Sequence, residues 1–197
     1  GRATAHEAWA CFFDPHDIVG IKVNTGYRGG ANPLLAQSLA QCLIDFGIPP
    51  GHIIIWDRRN ADLQACGYRL SASAGAVCCL GIEDVFEDSL TESGAIAAQF
   101  CRLVTRTCTA LVSMPVLRHH PLEGIDGCVH NLYGALRNPH KCNATSGHPF
   151  AADLLNAAPL RAKWRLGICD AAPDGAIYLA ADPLALDAEC HNRLGEI

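Results

Sequence analysis

Short apolar runs alternate with stretches of helical periodicity along most of the chain. The run "DIVGIKVN", residues 17–24, is β-branched and bounded by polar residues, which predicts a buried strand. After the glycine-rich "TGYRGG", Asn32 and Pro33 make a helix start, a capping side chain followed by proline at the first helical position. Leu35, Leu39, Leu43 and Phe46 then recur at helical spacing until Gly47 and Pro49-Pro50 end the pattern. "HIIIWD", residues 52–57, reads as the next strand. Strand, helix and strand in succession predict a right-handed parallel crossover. Such a unit gathers Asn24, Thr25, Asp57 and Arg58 at the carboxyl edge of the sheet, where ligands usually bind in open α/β folds.

The second half continues the pattern. "ALVSMPV", residues 110–116, predicts a third strand that delivers Arg118, His119 and His120 to a sheet edge. Residues 128–143 read as a helical turn followed by a loop, and "PFAADLLNAAP" as a short helix. "KWRLGICDA" predicts a strand ending in Asp170, and "AIYLAADPLALDAE" a last strand whose Asp182-Pro183 opens the final helix. No repeat, low-complexity tract or linker interrupts this order. The expectation is one three-layer α/β domain over residues 1–197, with a mainly parallel sheet and helices on both faces. The abrupt start at Gly1-Arg2 and the end "HNRLGEI" raise the expectation of truncation at one or both ends.

Composition narrows the function classes. With 197 residues the chain is long enough to bury a sizeable core without staples. A net charge of -5 and a pI near 5.9 argue against a broad nucleic-acid footprint, so no nucleic acid partner is expected. No apolar run reaches the ~18 to 20 residues of a membrane span. The N-terminus lacks the charged-then-apolar pattern of an export signal. The compartment stays open, cytoplasmic or exported with its signal absent from this chain, and so does a homo-oligomer.

Eleven cysteines, an odd number, cannot all pair within the chain. There is no C-x-x-C and no ferredoxin-like run, so neither a zinc ribbon nor an iron–sulfur cluster is written locally. Most of these cysteines are expected to be small buried apolar residues.

The candidate chemistry concentrates between Arg118 and His148. Five of the nine histidines fall here: His119, His120, His130, His140 and His148. Imidazole ligates zinc or iron, and Asp57, Asp153 or Asp170 could complete a shell from other strand ends. The bland alternative is a set of solvated or hydrogen-bonded histidines. Lys22 and Asn24 share one face of the first strand. A lysine at that depth needs a partner, Asp57 or Asp170, in either a structural salt bridge or a ligand-binding pair. Arg58, Arg118 and Arg137 could clamp a carboxylate or phosphate, or sit solvated.

The "TGYRGG" loop could hold an anion on its backbone N–H groups but matches no dinucleotide or phosphate-loop pattern. Cys128 and Cys142 are either thiolate ligands or a redox pair, or a buried and a loop thiol. Ser113 lies within a predicted strand, with no G-x-S-x-G around it. Tyr133 reads as a packing aromatic at the site margin, and Asp182 as a helix cap or a site carboxylate.

The series "VGIKVN", "GIPPGHIIIWDR", "MPVLRHHPLEGIDGCVHNLYGALRNP", "PFAADLLNAAPLRAKWRLGICDA" and "AADPLALDA" resembles the domain of unknown function 362 family from about residue 17 to 190. The resemblance matches Lys22 and Asn24 to the end of the family's first strand and His120 to a histidine after the proline-containing strand. It also matches Asn131 and Gly134 to the central segment, Asp153 to an acidic residue after the "NP" loop, and Asp182 and Asp187 to the last motif. The chain departs where relatives tend to have a lysine, placing His130 before the asparagine. A histidine and cysteine often found in the "NP" loop are displaced, with Asn143 and Gly147 near those places. These departures weigh against a lysine- or cysteine-dependent activity. Some members of the family carry ferredoxin-like segments, and others are exported by the twin-arginine route.

Three readings stand together. In the first, the chain is a metal-binding, enzyme-like domain acting on a small anionic substrate. Lys22, His120, His130 and Asp57 are then the catalytic candidates, and Asn24, Arg58, Arg118 and Asn131 bind the ligand. His119, His120, His140 and Asp153 hold a divalent metal, zinc or iron. The second is an iron–sulfur or redox-associated module, and the third a non-catalytic domain that binds a small anion or a partner.

Overall fold

The computed structural model describes residues 4–26, 30–121, 123–142, 150–171 and 175–194. In chain order its elements are α1 (Ala5–Ala10), β1 (Val19–Val23), α2 (Pro33–Phe46), β2 (Ile53–Asp57), α3 (Asn60–Ala65), β3 (Cys78–Gly81), β4 (Thr91–Ser93) and β5 (Ile96–Ala98). There follow β6 (Ala110–Met114), β7 (His119–His120), β8 (Gly124–Ile125), α4 (Cys128–Leu132), α5 (Phe150–Asn156), α6 (Ala158–Arg161), β9 (Trp164–Ala171), β10 (Ala176–Ala180) and α7 (Pro183–Leu194).

The expected α/β architecture forms. A six-stranded sheet runs in the order β10-β9-β6-β1-β2-β3, parallel throughout except for the antiparallel edge strand β10. The β1-α2-β2 crossover arises where the local signals place it. Asn32 caps α2 by accepting the Leu34 N–H at 2.9 Å. Gly47 ends the helix at φ 123°, a backbone conformation that side chains other than glycine rarely adopt. Asp182 caps α7 through the N–H groups of Leu184 and Ala185, so its cap role is met.

Because β1 and β2 lie inside the sheet, every residue of both strands is buried, and their near-continuous apolar sequence follows from coverage on both faces. On one face Leu39, Leu43 and Phe46 of α2 pack over Ile21, Ile55 and Val112. On the other, Trp56 and Leu111 pack with Leu132, Tyr133 and Leu154 from the second half of the chain. A third cluster around Cys128, Cys169, Leu186 and Cys190 seats α7 against β9. Strand β3, the β4-β5 hairpin and the β7-β8 ribbon carry no clear periodicity in the sequence, because each is only two to four residues long. Among the described residues no helix is long and apolar enough to cross a membrane.

Candidate functional site

The carboxyl ends of β1, β2 and β6 open into a cavity of about 760 Å³. At its floor lies Lys22, only 3% exposed. Its ammonium donates to Asp57 Oδ1 at 2.5 Å, the Val23 carbonyl at 2.7 Å and Asn131 Oδ1 at 3.0 Å, which uses all three of its donors. The Trp56 ring centroid lies 5.5 Å from the same nitrogen. Of the two partners the sequence left open, the fold pairs Lys22 with Asp57, while Asp170 accepts the Asn32 N–H at 2.9 Å.

Asp57 also accepts the N–H and hydroxyl of Thr25, at 2.7 and 2.6 Å, and the Arg58 N–H at 2.7 Å. Burial pushes its carboxyl up, but the Lys22 ammonium and these hydrogen bonds outweigh burial and hold it below the usual carboxylate range. Asn131 closes the network by donating to the Lys22 carbonyl and to Ser113 Oγ, whose hydroxyl donates to the Cys128 carbonyl. Ser113 is therefore a buried structural hydroxyl. Gly134 roofs the lysine: a Cβ there would stand 2.7 Å from Lys22 Cε.

A second ion pair forms the opposite wall. Arg118 Nε donates to Asp126 Oδ2 at 2.7 Å, and its Nη2 donates to Asn24 Oδ1 and the Gly26 carbonyl, each at 2.8 Å. Asn24 in turn donates to Asp126 Oδ1 at 3.1 Å. Arg58 behaves differently. Its guanidinium donates to the carbonyls of Gly134 and Leu136 and stacks over Phe86, 5.6 Å from the ring centroid.

His120 and His130 meet above this floor with ring centroids 4.4 Å apart, and Tyr133 flanks His130 at 5.2 Å. Glu123 joins the pair. Its backbone N–H donates to His120 Nδ1 at 3.2 Å, and its Oε2 lies 3.2 Å from His130 Nδ1. Burial, and then the neighbouring His130, hold the His120 imidazole below its ordinary range.

The cavity brings together Lys22, Asn24, Asp57 and Arg58 from the first half of the chain. From the second half it gathers Arg118, Asn131 and four of the histidines, His119, His120, His130 and His140. His119 and His140 are exposed at the rim. His148 and residues 27–29 of the "TGYRGG" loop lie outside the described residues.

Asp153, expected among the metal ligands, is held elsewhere. Its Oδ2 accepts the Ala95 N–H at 2.8 Å, which ties α5 to the β4-β5 hairpin, and it does not line the cavity. Asp187 accepts the N–H groups of Cys128 and Val129 and caps α4. Cys142, expected on a loop if not a ligand, is buried, and it sits in a different apolar cluster from Cys128, so the fold does not join these two thiols. Arg137 is exposed and donates to Gln99.

Sequence reasoning missed Glu123 and Asp126. The only signal was two carboxylates within "PLEGIDG", too close to the histidines to be neutral neighbours. Among the described residues no group of three or more His, Cys, Asp or Glu side chains is arranged to hold a metal ion.

The mainly parallel sheet, with a cleft at its carboxyl edge lined by Lys22, Asp57, Arg118 and His120, makes this an α/β domain. The sequence profile of the family called domain of unknown function (DUF362) matches residues 19–192, and the chain belongs to that family. Among curated proteins, no sequence matches the chain.

Proposed function

We propose that this domain binds a small anionic molecule in the cavity and moves a proton on it through His120 and His130. The observation that carries the reading is the double engagement of Glu123, whose backbone meets one imidazole and whose carboxylate meets the other. Proton transfer requires a titratable group held in one orientation within reach of the substrate, and both rings line the cavity.

Charge balance supports an anion. Lys22 is matched by Asp57 and Arg118 by Asp126. The Arg58 side chain donates to backbone carbonyls and forms no ion pair among the described residues, so its positive charge remains for a ligand. Titration with inorganic phosphate and with small carboxylates, followed on the histidine ring protons by NMR, is expected to shift His120 and His130. Arg58→Gln, with its fold checked by circular dichroism, is expected to weaken binding by about tenfold or more. Ring protons unmoved at saturating anion, or binding indifferent to Arg58, would refute the reading.

The adjacency of the two imidazoles favours a second reading, a zinc or iron site. His120 and His130 would supply two ligands, and no third donor is arranged with them among the described residues, so no step is derived through a metal. Elemental analysis tests it: one equivalent of zinc or iron in the untagged protein, lost in His120→Ala, would support this reading over the first.

A further inference from the structure

Glu123 imposes opposite tautomers on the two histidines. A backbone N–H can only donate, so His120 Nδ1, which accepts it, carries no proton, and the proton of the neutral ring sits on Nε2. An ionised carboxylate can only accept, so His130 Nδ1 carries the proton, and the lone pair of the neutral ring sits on Nε2. Two rings with centroids 4.4 Å apart therefore offer opposite functions at Nε2, a donor on His120 and a base on His130.

Opposite polarity on adjacent rings suits neighbouring atoms of one substrate, a carbonyl oxygen and the hydrogen on the carbon beside it. No Ser, Thr or Cys is among the described residues that line it, and Lys22 has all three donors occupied. A neutral imidazole is also a known way to polarise a carbonyl, because it hydrogen-bonds the developing oxyanion without having to give up its proton.

Resting on the anion-pocket reading above, we infer that the site enolises small 2-oxo acids. Arg58 holds the substrate carboxylate, His120 Nε2–H donates to the ketone oxygen, and His130 Nε2 removes a proton from C3. The C3–H bond breaks, its electron pair becomes the C2–C3 π bond of an enolate, and the carbonyl π pair moves to the oxygen. The proton resides on His130 as imidazolium and exchanges with solvent before its return to C3. No oxidant, reductant or cofactor enters this balance. Glu123 is the positioning residue, since it acts on the substrate only through the two rings.

The test is solvent exchange. With 2-oxobutyrate as probe in D₂O, proton NMR is expected to show the C3 hydrogens replaced by deuterium faster with the full chain than in matched buffer. His130→Gln is expected to lower that rate by about 10²-fold or more while binding, read by isothermal calorimetry, is retained. Glu123→Gln keeps both imidazoles but removes the charge that holds the proton on His130 Nδ1. It is expected to slow exchange and to shift the His130 ring nitrogens in ¹⁵N NMR toward the other tautomer, a change a purely structural role would not produce. Binding without exchange would overturn the enolisation and leave the anion pocket standing. Absence of both would overturn both, and exchange undiminished in His130→Gln would overturn the assignment of the base.

Discussion

Lys22 and Asp57, 35 positions apart in the chain, form an ion pair of 2.5 Å in which the side chains are 3% and 9% exposed. Parallel pairing of β1 with β2 sets Lys22 opposite Trp56, one residue before Asp57, so neighbouring strand ends bring the charges together. The pair anchors Thr25, Arg58 and Asn131, three segments that shape the cavity.

Removing one charge leaves the other buried without a partner. Lys22→Met is expected to cost about 3–5 kcal/mol in urea unfolding. The double variant Lys22→Met/Asp57→Asn is expected to lose less than the sum of the singles, because it leaves no orphaned charge.

Acid stability follows from the depressed Asp57 carboxyl. An unfolded aspartate titrates at about 3.9. The folded value lies below that, so the contribution of this group is fully present above the unfolded value. It is lost as pH falls through the folded value. Acid titration of the folded signal is expected to show a shallower loss in Asp57→Asn, from a lower starting stability, than in the wild type.

His130 contributes to holding His120 below the ordinary imidazole range, second to burial. In His130→Ala the His120 ring is expected to titrate at higher pH, which NMR of its carbon-bound ring protons would read. An unchanged midpoint would mean the two rings do not feel each other.

The N-terminus of α4 depends on Asp187, which accepts two backbone N–H groups there. Asp187→Ala is expected to cost about 0.5–2 kcal/mol in thermal or urea unfolding. Asp187→Asn should lose less than Asp187→Ala, since its amide oxygen still accepts one of the two N–H groups and burial of a charge, the chief reason this carboxyl is pushed up, is removed.

Thiol reactivity should divide by burial. Cys11 and Cys42 are exposed, whereas burial pushes Cys79 and Cys101 up to about 11 and Cys108 to about 12. In a timed assay with a disulfide reagent, Cys11 and Cys42 are expected to react in the native protein and the latter three only after denaturant is added.

Much of the fold was legible because its signals are local. Asn32 and Gly47 bracket α2 through contacts spanning at most five residues, and Asp182 caps α7 through the next two or three N–H groups. The apolar runs of β1, β2 and β6 required coverage on both faces, which implies a parallel sheet between helices. The site was legible in outline, since strand ends of such a sheet converge on one edge.

What the sequence by itself determined is therefore the alternation of strands and helices, the caps that bound them, and part of the set of side chains delivered to the carboxyl edge, Lys22, Asn24, Asp57, Arg58, Arg118 and His120 among them. Which of those side chains face each other was decided only by the tertiary structure. Strand order made Asp57 the partner of Lys22 and left Asp170 to accept the Asn32 N–H, and the β7-β8 ribbon turned Glu123 back onto two imidazoles. Packing of α5 drew Asp153 away to the hairpin. The physical reason is one of range: propensity and capping act within a turn of chain, whereas an ion pair or a ring contact depends on where the sheet sets residues that are far apart in sequence.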